Sequence, residues 1–135
     1  MFMKILVAID GTETSMKALM EAKRMAVSNH GTLCIVYAAP EDADQKAGRN
    51  LLAQAKSSVG DEVSVETRLL QAEAIYGLTG IVETIANSSN EWGADLVVVG
   101  SSHRRGLERW VIGSVAEQLI AKVDASVLLV RPHEP

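Results

Sequence analysis

The chain has 135 residues, of which 47% are hydrophobic and 22% are charged, with a formal net charge of −4. This composition excludes an intrinsically disordered protein, and the acidic balance gives no overall basic surface for a nucleic acid partner. A length of this order fits one domain, 1–135.

The opening segment and the cysteine content set the expected compartment. Residues 1–4 are too few for a signal peptide, and no apolar stretch approaches the ~20 residues that a membrane span needs. Cys34 is the single cysteine, so no disulfide or thiolate metal site can form within the chain. Its apolar neighbours predict a buried side chain. We therefore expect a cytoplasmic protein without a membrane partner.

Five apolar runs and four helical patterns alternate along the chain. The predicted strands are 4–9, 32–39, 63–70, 95–99 and 126–130, and the predicted helices are 14–29, 47–58, 78–92 and 114–123. Continuous apolar runs are typical of parallel strands covered on both faces, whereas the apolar–polar alternation of the third run indicates an edge strand. This order of elements predicts an α/β domain with a mainly parallel sheet between two helical layers.

Glycine, proline and polar residues mark the boundaries of these elements. Gly31 follows the first helix and is expected to take the left-handed conformation that is common after a helix. Pro40 is expected to end the second strand, and the polar segment 41–46 is expected to form a loop. Asp10 begins a segment with the spacing of a helix cap, so it is a candidate N-cap of the first helix.

Candidate ligand-binding residues follow three of the predicted strands. Asp10 follows the first strand, Ala38 and Ala39 close the second, and Gly100 follows the fourth. Ligands of open parallel sheets bind beyond the carboxyl ends of the strands, where the strand order reverses. The last helix begins at Ser114, so its first amides lack helical partners and suit a phosphate.

Each of these features also has a purely structural interpretation. Ser114-Val115-Ala116-Glu117 is a capping box, in which the serine cap stabilises a helix by ~1 kcal/mol without any ligand. Arg104, Arg105 and Arg109 can form a solvated basic run. The convergence of the features on one sheet edge favours a binding site. The chain carries no Walker A, Gly-x-Ser-x-Gly, His-Glu-x-x-His or Cys-x-x-Cys motif, and Asp10 alone fixes no mechanism, so no catalytic or metal-ligating residue is predicted.

Several segments, in order and spacing, resemble the universal stress protein family. They are Ala8-Ile9-Asp10-Gly11-Thr12-Glu13, Asp95-Leu96-Val97-Val98-Val99-Gly100-Ser101, Gly106-Leu107-Glu108-Arg109, Gly113-Ser114-Val115-Ala116-Glu117 and Ala125-Ser126-Val127-Leu128-Leu129-Val130. The resemblance covers nearly the whole chain. It implies a Rossmann-like, three-layer sandwich of the adenine nucleotide alpha hydrolase type, with sheet order 3-2-1-4-5. It also implies a dimeric stress-response regulator rather than a dedicated enzyme.

The nucleotide-binding branch of that family carries Gly, two residues, Gly, nine residues, then Gly and Ser or Thr. This chain has Gly100, then His103 in place of the second glycine, then Gly113 and Ser114. The resemblance implies that ATP or another adenine nucleotide binds here, with a divalent cation accompanying its phosphates. Asp10 would then meet the ribose and Ala38 the adenine. The full set of implied contacts is Ala8, Ile9, Asp10, Ala38, Val99, Gly100, His103, Gly113, Ser114, Val115 and Ala116.

Two segments depart from the family pattern. At His103 a close approach or positive φ costs of order 1–3 kcal/mol more than at glycine, although the imidazole can itself donate to a phosphate. Residues 73–77 replace the family's short turn before the third helix. Three hypotheses result: a nucleotide-sensing module, a dimeric scaffold that binds no nucleotide because His103 marks loss of the phosphate site, and, third, a slow ATP hydrolase.

The last strand suggests how two copies would associate. From Val127 to Val130 it would form an exposed apolar edge of the sheet. Such edges pair with other chains, and a two-fold homodimer through antiparallel pairing is the simplest closed arrangement. The regulatory role that the resemblance implies adds an unidentified protein partner.

Overall fold

A computed structural model describes residues 2–101 and 114–132, which form five strands and four α-helices. The strands are β1 (Lys4–Ala8), β2 (Thr32–Pro40), β3 (Ser64–Ala72), β4 (Leu96–Gly100) and β5 (Ser126–Val130). The helices are α1 (Glu13–Asn29), α2 (Gln45–Val59), α3 (Gly77–Trp92) and α4 (Ser114–Lys122), and a 3-10 helix, Ala74–Tyr76, precedes α3. Within the described ranges, no helix combines the length and apolarity needed to cross a membrane.

The strands form one parallel sheet in the order β3-β2-β1-β4-β5, as predicted. β1 is the central strand and lies between β2 and β4. β3 and β5 are the edges, which confirms the edge position predicted from the alternating pattern of the third strand. The chain moves outward from β1 to β3 and then crosses to β4, so the strand order reverses between β1 and β4.

Helices cover both faces of the sheet and bury a core on each. On one face, α1 and α2 pack against strand residues that include Val7 and Val98. On the other face, α3 and α4 pack against residues that include Leu6 and Val97. Successive strand residues point to opposite faces, so two covered faces require the uninterrupted apolar runs of the sequence. The predicted three-layer α/β fold is confirmed.

The end of α1 differs from the prediction. His30, not Gly31, takes the left-handed conformation, with φ 55° and ψ 38°. The Gly31 amide donates to the Ala26 carbonyl (2.9 Å) and the His30 amide to the Val27 carbonyl (3.3 Å), which is a Schellman arrangement. Gly31 is needed for a different reason, since a Cβ there would lie 2.6 Å from the Met3 carbonyl oxygen. Close packing, rather than backbone conformation, explains the glycine.

The connection between β2 and α2 is shorter than predicted. β2 ends at Pro40, as predicted, and the proline is itself the last paired residue, opposite Ala72 of β3. α2 begins at Gln45, inside the segment predicted to be a loop. Its N-cap is Asp44, whose carboxylate accepts a hydrogen bond from the Lys46 amide at 2.9 Å. This cap satisfies a free amide of the first turn and therefore starts the helix early.

Cys34 provides a direct test of this packing, because it lies fully buried in β2 on the α3/α4 face. Burial raises the pKa of its thiol to about 11, with Arg68 opposing that effect. The thiolate is the reactive form, so iodoacetamide at pH 8 should label the native protein far more slowly than the urea-unfolded chain, as followed by mass spectrometry.

The raised pKa of Cys34 also fixes the sign of a pH effect. An unfolded thiol ionises near pH 8.5 and the buried one near pH 11, so the folded state holds its proton more tightly. The free energy of unfolding should therefore be insensitive to this group below pH 8 and should fall as the pH rises from about 9 to 11. In the labelling experiment, iodoacetamide modification of Cys34 that is as fast in the native protein as in the urea-unfolded chain would contradict the buried position of this residue.

Candidate ligand site at the carboxyl edge of the sheet

β1 and β4 are neighbours, but their pairing ends before the strands do. It stops at Val7 and Val98, whereas β4 continues to pair with β5 as far as Gly100. On its other side β1 stays bonded to β2, because the Ile9 amide donates to the Val36 carbonyl at 2.9 Å. The sheet therefore divides where the strand order reverses, which is the place where open α/β sheets hold ligands.

A hydrogen-bonded turn after β1 carries Asp10, which is exposed. Its Oδ1 accepts from the Thr12 amide at 2.9 Å and from the Thr12 hydroxyl at 2.6 Å. The Asp10 amide donates to Ser15 Oγ at 3.1 Å, and Gly11 adopts a φ of 84° that suits glycine. Thr12 is the N-cap of α1, so Asp10 supports the cap instead of forming it. The other carboxylate oxygen, Oδ2, accepts no hydrogen bond from the described residues.

Gly100 packs against the first turn of α1. A Cβ on Gly100 would lie 2.8 Å from Thr14 Cγ2 and 3.1 Å from both the carbonyl carbon and the carbonyl oxygen of Thr14. No side chain fits at these distances, so the glycine allows β4 to approach α1. The contact brings the end of β4 close to the turn that carries Asp10. It also gives Gly100 a packing role that needs no ligand.

Small side chains lie at the carboxyl ends of β1 and of β2, its neighbour on the side away from this division. Ala8 of β1 and Ala38 of β2 are half-buried on the α3/α4 face, beside the core that contains Val99. Ile9 is buried in the core on the opposite face, so its side chain points away from Ala8. On the α3/α4 face, these methyl groups take up little space.

The first turn of α4 lies on the same face. Ala116 is buried in the core that contains Val99, which fixes the start of α4 over the end of β4. The amides of Ser114, Val115 and Ala116 precede the first helical hydrogen bond and carry the positive end of the helix dipole. The structure therefore brings two parts of the predicted site, the turn that carries Asp10 and the first turn of α4, to one edge of the sheet. Two further predicted residues, His103 and Gly113, lie outside the described residues.

Sequence reasoning did not select Ser101 as a site residue. It follows β4 directly, its amide donates to the Val130 carbonyl at 2.7 Å, and only 4% of its surface is exposed. Its hydroxyl has no hydrogen-bond partner among the described residues. A serine after a strand is ordinary in turns, so the sequence carried little signal for this position. In the same part of the chain, no group of three His, Cys, Asp or Glu side chains is arranged to hold a metal ion.

This geometry defines the class of protein: a three-layer, Rossmann-like α/β domain with a candidate site at the division between β1 and β4. The sequence pattern that describes the universal stress protein family matches residues 1–131. The chain therefore belongs to the universal stress protein family. It is 30% identical to the universal stress protein YxiE of Bacillus subtilis, in an alignment that covers 97% of this chain and 100% of that protein.

Solved structures of the family share this fold. A universal stress protein from Archaeoglobus fulgidus in complex with dAMP superposes with a TM-score of 0.75 at 24% identity, covering 96% of this chain and 98% of that one. A universal stress protein in complex with cAMP superposes with a TM-score of 0.72 at 23% identity, covering 98% of each chain. These similarities establish the architecture that the strand order already indicated.

Proposed function

We propose that this protein is a regulator that binds an adenine nucleotide at the carboxyl edge of its sheet. The observation that carries the proposal is the early end of the β1–β4 pairing at Val7 and Val98. The Asp10 turn lies on one side of that division and the first turn of α4 on the other. A nucleotide between them would contact both halves of the sheet, so binding could alter the surface that the protein offers to a regulatory partner.

Each part of an adenine nucleotide has a suitable group at this edge. The small side chains of Ala8 and Ala38 suit the flat purine ring. Asp10 Oδ2, which accepts no hydrogen bond from the described residues, can accept one from a ribose hydroxyl. The amides at the start of α4 suit a phosphate, because they are unpaired donors at the positive end of a helix dipole. A divalent cation would accompany the phosphates of ATP.

The ligands of similar proteins support this assignment. One similar structure is a complex with dAMP and another is a complex with cAMP, and both ligands join adenine to a single phosphate group. One feature of the sequence, His103 in the place of a motif glycine, favours a second candidate function. In that alternative the protein is a dimeric scaffold of the same fold and binds no nucleotide.

The proposed regulator is a homodimer formed through β5. This strand pairs with β4 on one side and is an edge of the sheet on the other. Its side chains from Val127 to Leu129 are half-buried. Antiparallel pairing of two such edges would satisfy their free backbone groups and close the assembly with two-fold symmetry.

Binding should be visible as thermal stabilisation. Millimolar AMP, ADP or ATP at about a hundred times the dissociation constant adds roughly 2.7 kcal/mol to the free energy of unfolding. We therefore expect the melting temperature to rise by several degrees in differential scanning fluorimetry. UMP at the same concentration should cause a much smaller rise, because the site is assigned to a purine.

A pair of variants in β2 locates the base. Ala38→Ile should remove the nucleotide-induced shift, because the larger side chain fills the space assigned to adenine. Thr32→Ile is the matched control: it adds apolar bulk to the same strand, at the exposed amino end, and should leave the shift intact. A full shift in Ala38→Ile would place the base elsewhere, and no shift in the unmodified protein would favour the scaffold.

A further inference from the structure

Ile75 and Tyr76 are adjacent in the chain, and both side chains are exposed to solvent, at 85% and 60%. They lie in the 3-10 helix that follows β3 at the carboxyl edge of the sheet. This helix belongs to the segment 73–77, which departs from the family pattern and has no part in the proposed nucleotide site. Isolated exposed apolar residues are ordinary on protein surfaces, whereas large neighbouring ones can form the centre of an interaction surface.

The backbone beneath this exposed pair is held in place. The Tyr76 amide donates to the Glu73 carbonyl at 3.2 Å, and the Gly77 amide donates to the Ala74 carbonyl. The turn also packs closely on the start of α3, because a Cβ on Gly80 would lie 3.1 Å from both the Glu73 carbonyl oxygen and Tyr76 Cβ. A partner would therefore meet two side chains on a preorganised backbone, which lowers the entropic cost of binding.

Carboxylates lie at the same corner of the sheet. The Glu41 amide donates to the Ala72 carbonyl at 2.8 Å, so the segment 41–45 begins beside the residue that precedes Glu73. Segment 41–45 carries three carboxylates, segment 71–77 carries one, and neither contains a lysine or an arginine. The four acidic residues are all exposed, and they are Glu41, Asp42, Asp44 and Glu73. Within the described ranges, none of them forms a salt bridge.

We infer that Ile75 and Tyr76 form the centre of a docking surface for a basic segment of a partner protein that also carries apolar side chains. The exposed pair supplies apolar contact area, and tyrosine is enriched among the residues that dominate interface energies. The four carboxylates supply charge complementarity, which favours lysine and arginine in the partner and speeds the encounter. The inference names the chemistry of the partner that the proposed regulator requires, and docking itself does not depend on nucleotide binding.

The test measures binding of a fluorescent peptide composed of leucine and lysine, by fluorescence anisotropy and without nucleotide. Ile75→Ser should raise the Kd of this peptide about ten- to thirtyfold, which is the loss typical of a residue at the centre of an interface. Ile120→Ser is the matched control, because Ile120 is also an exposed isoleucine but lies in α4. This control variant should bind the peptide with an unchanged Kd.

The contribution of charge is measured with the same peptide and two further variants. Asp42→Asn and Glu73→Gln should each raise the Kd about two- to fivefold, and each should weaken the dependence of the Kd on salt concentration. Asp44 is left unchanged, because it caps α2. A peptide with glutamate in place of lysine, or with serine in place of leucine, should bind the unmodified protein about tenfold more weakly or not at all.

The melting temperature and the sedimentation velocity provide independent readouts. Ile75→Ser should melt within about 2 °C of the unmodified protein, because so exposed a side chain contributes little to folding. A larger fall, an unchanged peptide Kd in Ile75→Ser, or an equal loss in Ile120→Ser would overturn the docking surface. Failure of the unmodified protein to bind the peptide would overturn it too. A change in oligomeric state in Ile75→Ser would assign the surface to a second copy of the chain and overturn the inference. The nucleotide proposal is tested separately, by the thermal shift with AMP.

Discussion

Replacement of Gly100 by alanine is expected to lower the melting temperature by roughly 3–12 °C, which corresponds to the 1–3 kcal/mol typical of overpacking in a filled site. The new Cβ would lie 2.8 Å from Thr14 Cγ2 and 3.1 Å from the Thr14 backbone, so the first turn of α1 would have to move. Asp10 is tied to that turn through the hydrogen bond from its amide to Ser15. The same change should therefore weaken AMP binding.

A double-mutant cycle with Thr14→Ser separates the steric effect from other causes. Serine keeps the hydroxyl but lacks the Cγ2 methyl group that makes the closest contact. Gly100→Ala should therefore cost less stability in the Thr14→Ser background than alone, with a coupling of the size seen between residues in contact. Thermal or urea unfolding measures both costs. Equal costs in the two backgrounds would show that the Thr14 methyl group is not what makes Gly100 necessary.

Proline at Leu129 should convert the proposed homodimer into a folded monomer. The Ser126 amide donates to the Asp95 carbonyl (3.2 Å), and the Val130 carbonyl accepts from the Ser101 amide (2.7 Å), so the even-numbered residues of β5 direct their backbone groups to β4. In a parallel strand the alternate residues point the other way, and the Leu129 amide therefore faces the open edge. Proline removes that donor and is tolerated on an edge strand.

Leu128→Pro is the matched control for this dimer test. It replaces the same type of partly buried side chain, but it removes an amide that faces β4 and so leaves a carbonyl in the sheet without its partner. We expect it to lower the free energy of unfolding by about 1–3 kcal/mol more than Leu129→Pro does. Sedimentation velocity at micromolar concentration should show a dimer for the unmodified protein and a monomer for Leu129→Pro. A dimer in Leu129→Pro would exclude pairing through this edge.

The architecture was predictable because each inner strand of the sheet has to be apolar on both faces. The runs that end at Ile9 and Val99 carry no alternation, and this pattern is specific for strands between two helical layers. The apolar–polar alternation through Val63, Val65 and Thr67 was equally informative, because it predicted that the third strand lies at an edge of the sheet. The strand order itself came from the family resemblance, since hydrophobic patterns do not specify which strands are neighbours.

Local details were less predictable, because they depend on contacts between distant residues. The sequence near Gly31 favours a left-handed glycine, but the approach of Met3 makes that glycine necessary, and His30 takes the left-handed conformation. The role of Gly100 depends likewise on Thr14, which is 86 positions away in the chain, as their numbers in the sequence show. Ser101 could not be singled out at all, since the lack of a hydrogen-bond partner is a property of the folded chain.

The central position of β1 has a consequence for synthesis on the ribosome. β1 is synthesised first and can pair with β2 soon afterwards. Its second neighbour, Leu96 to Val98 of β4, is synthesised much later. A nascent chain that ends before β4 therefore exposes the apolar strand β1 as an unpaired sheet edge, and such exposure promotes aggregation. Completion of the sheet is thus a late event, and ribosome stalling between β3 and β4 would leave the chain most dependent on chaperones.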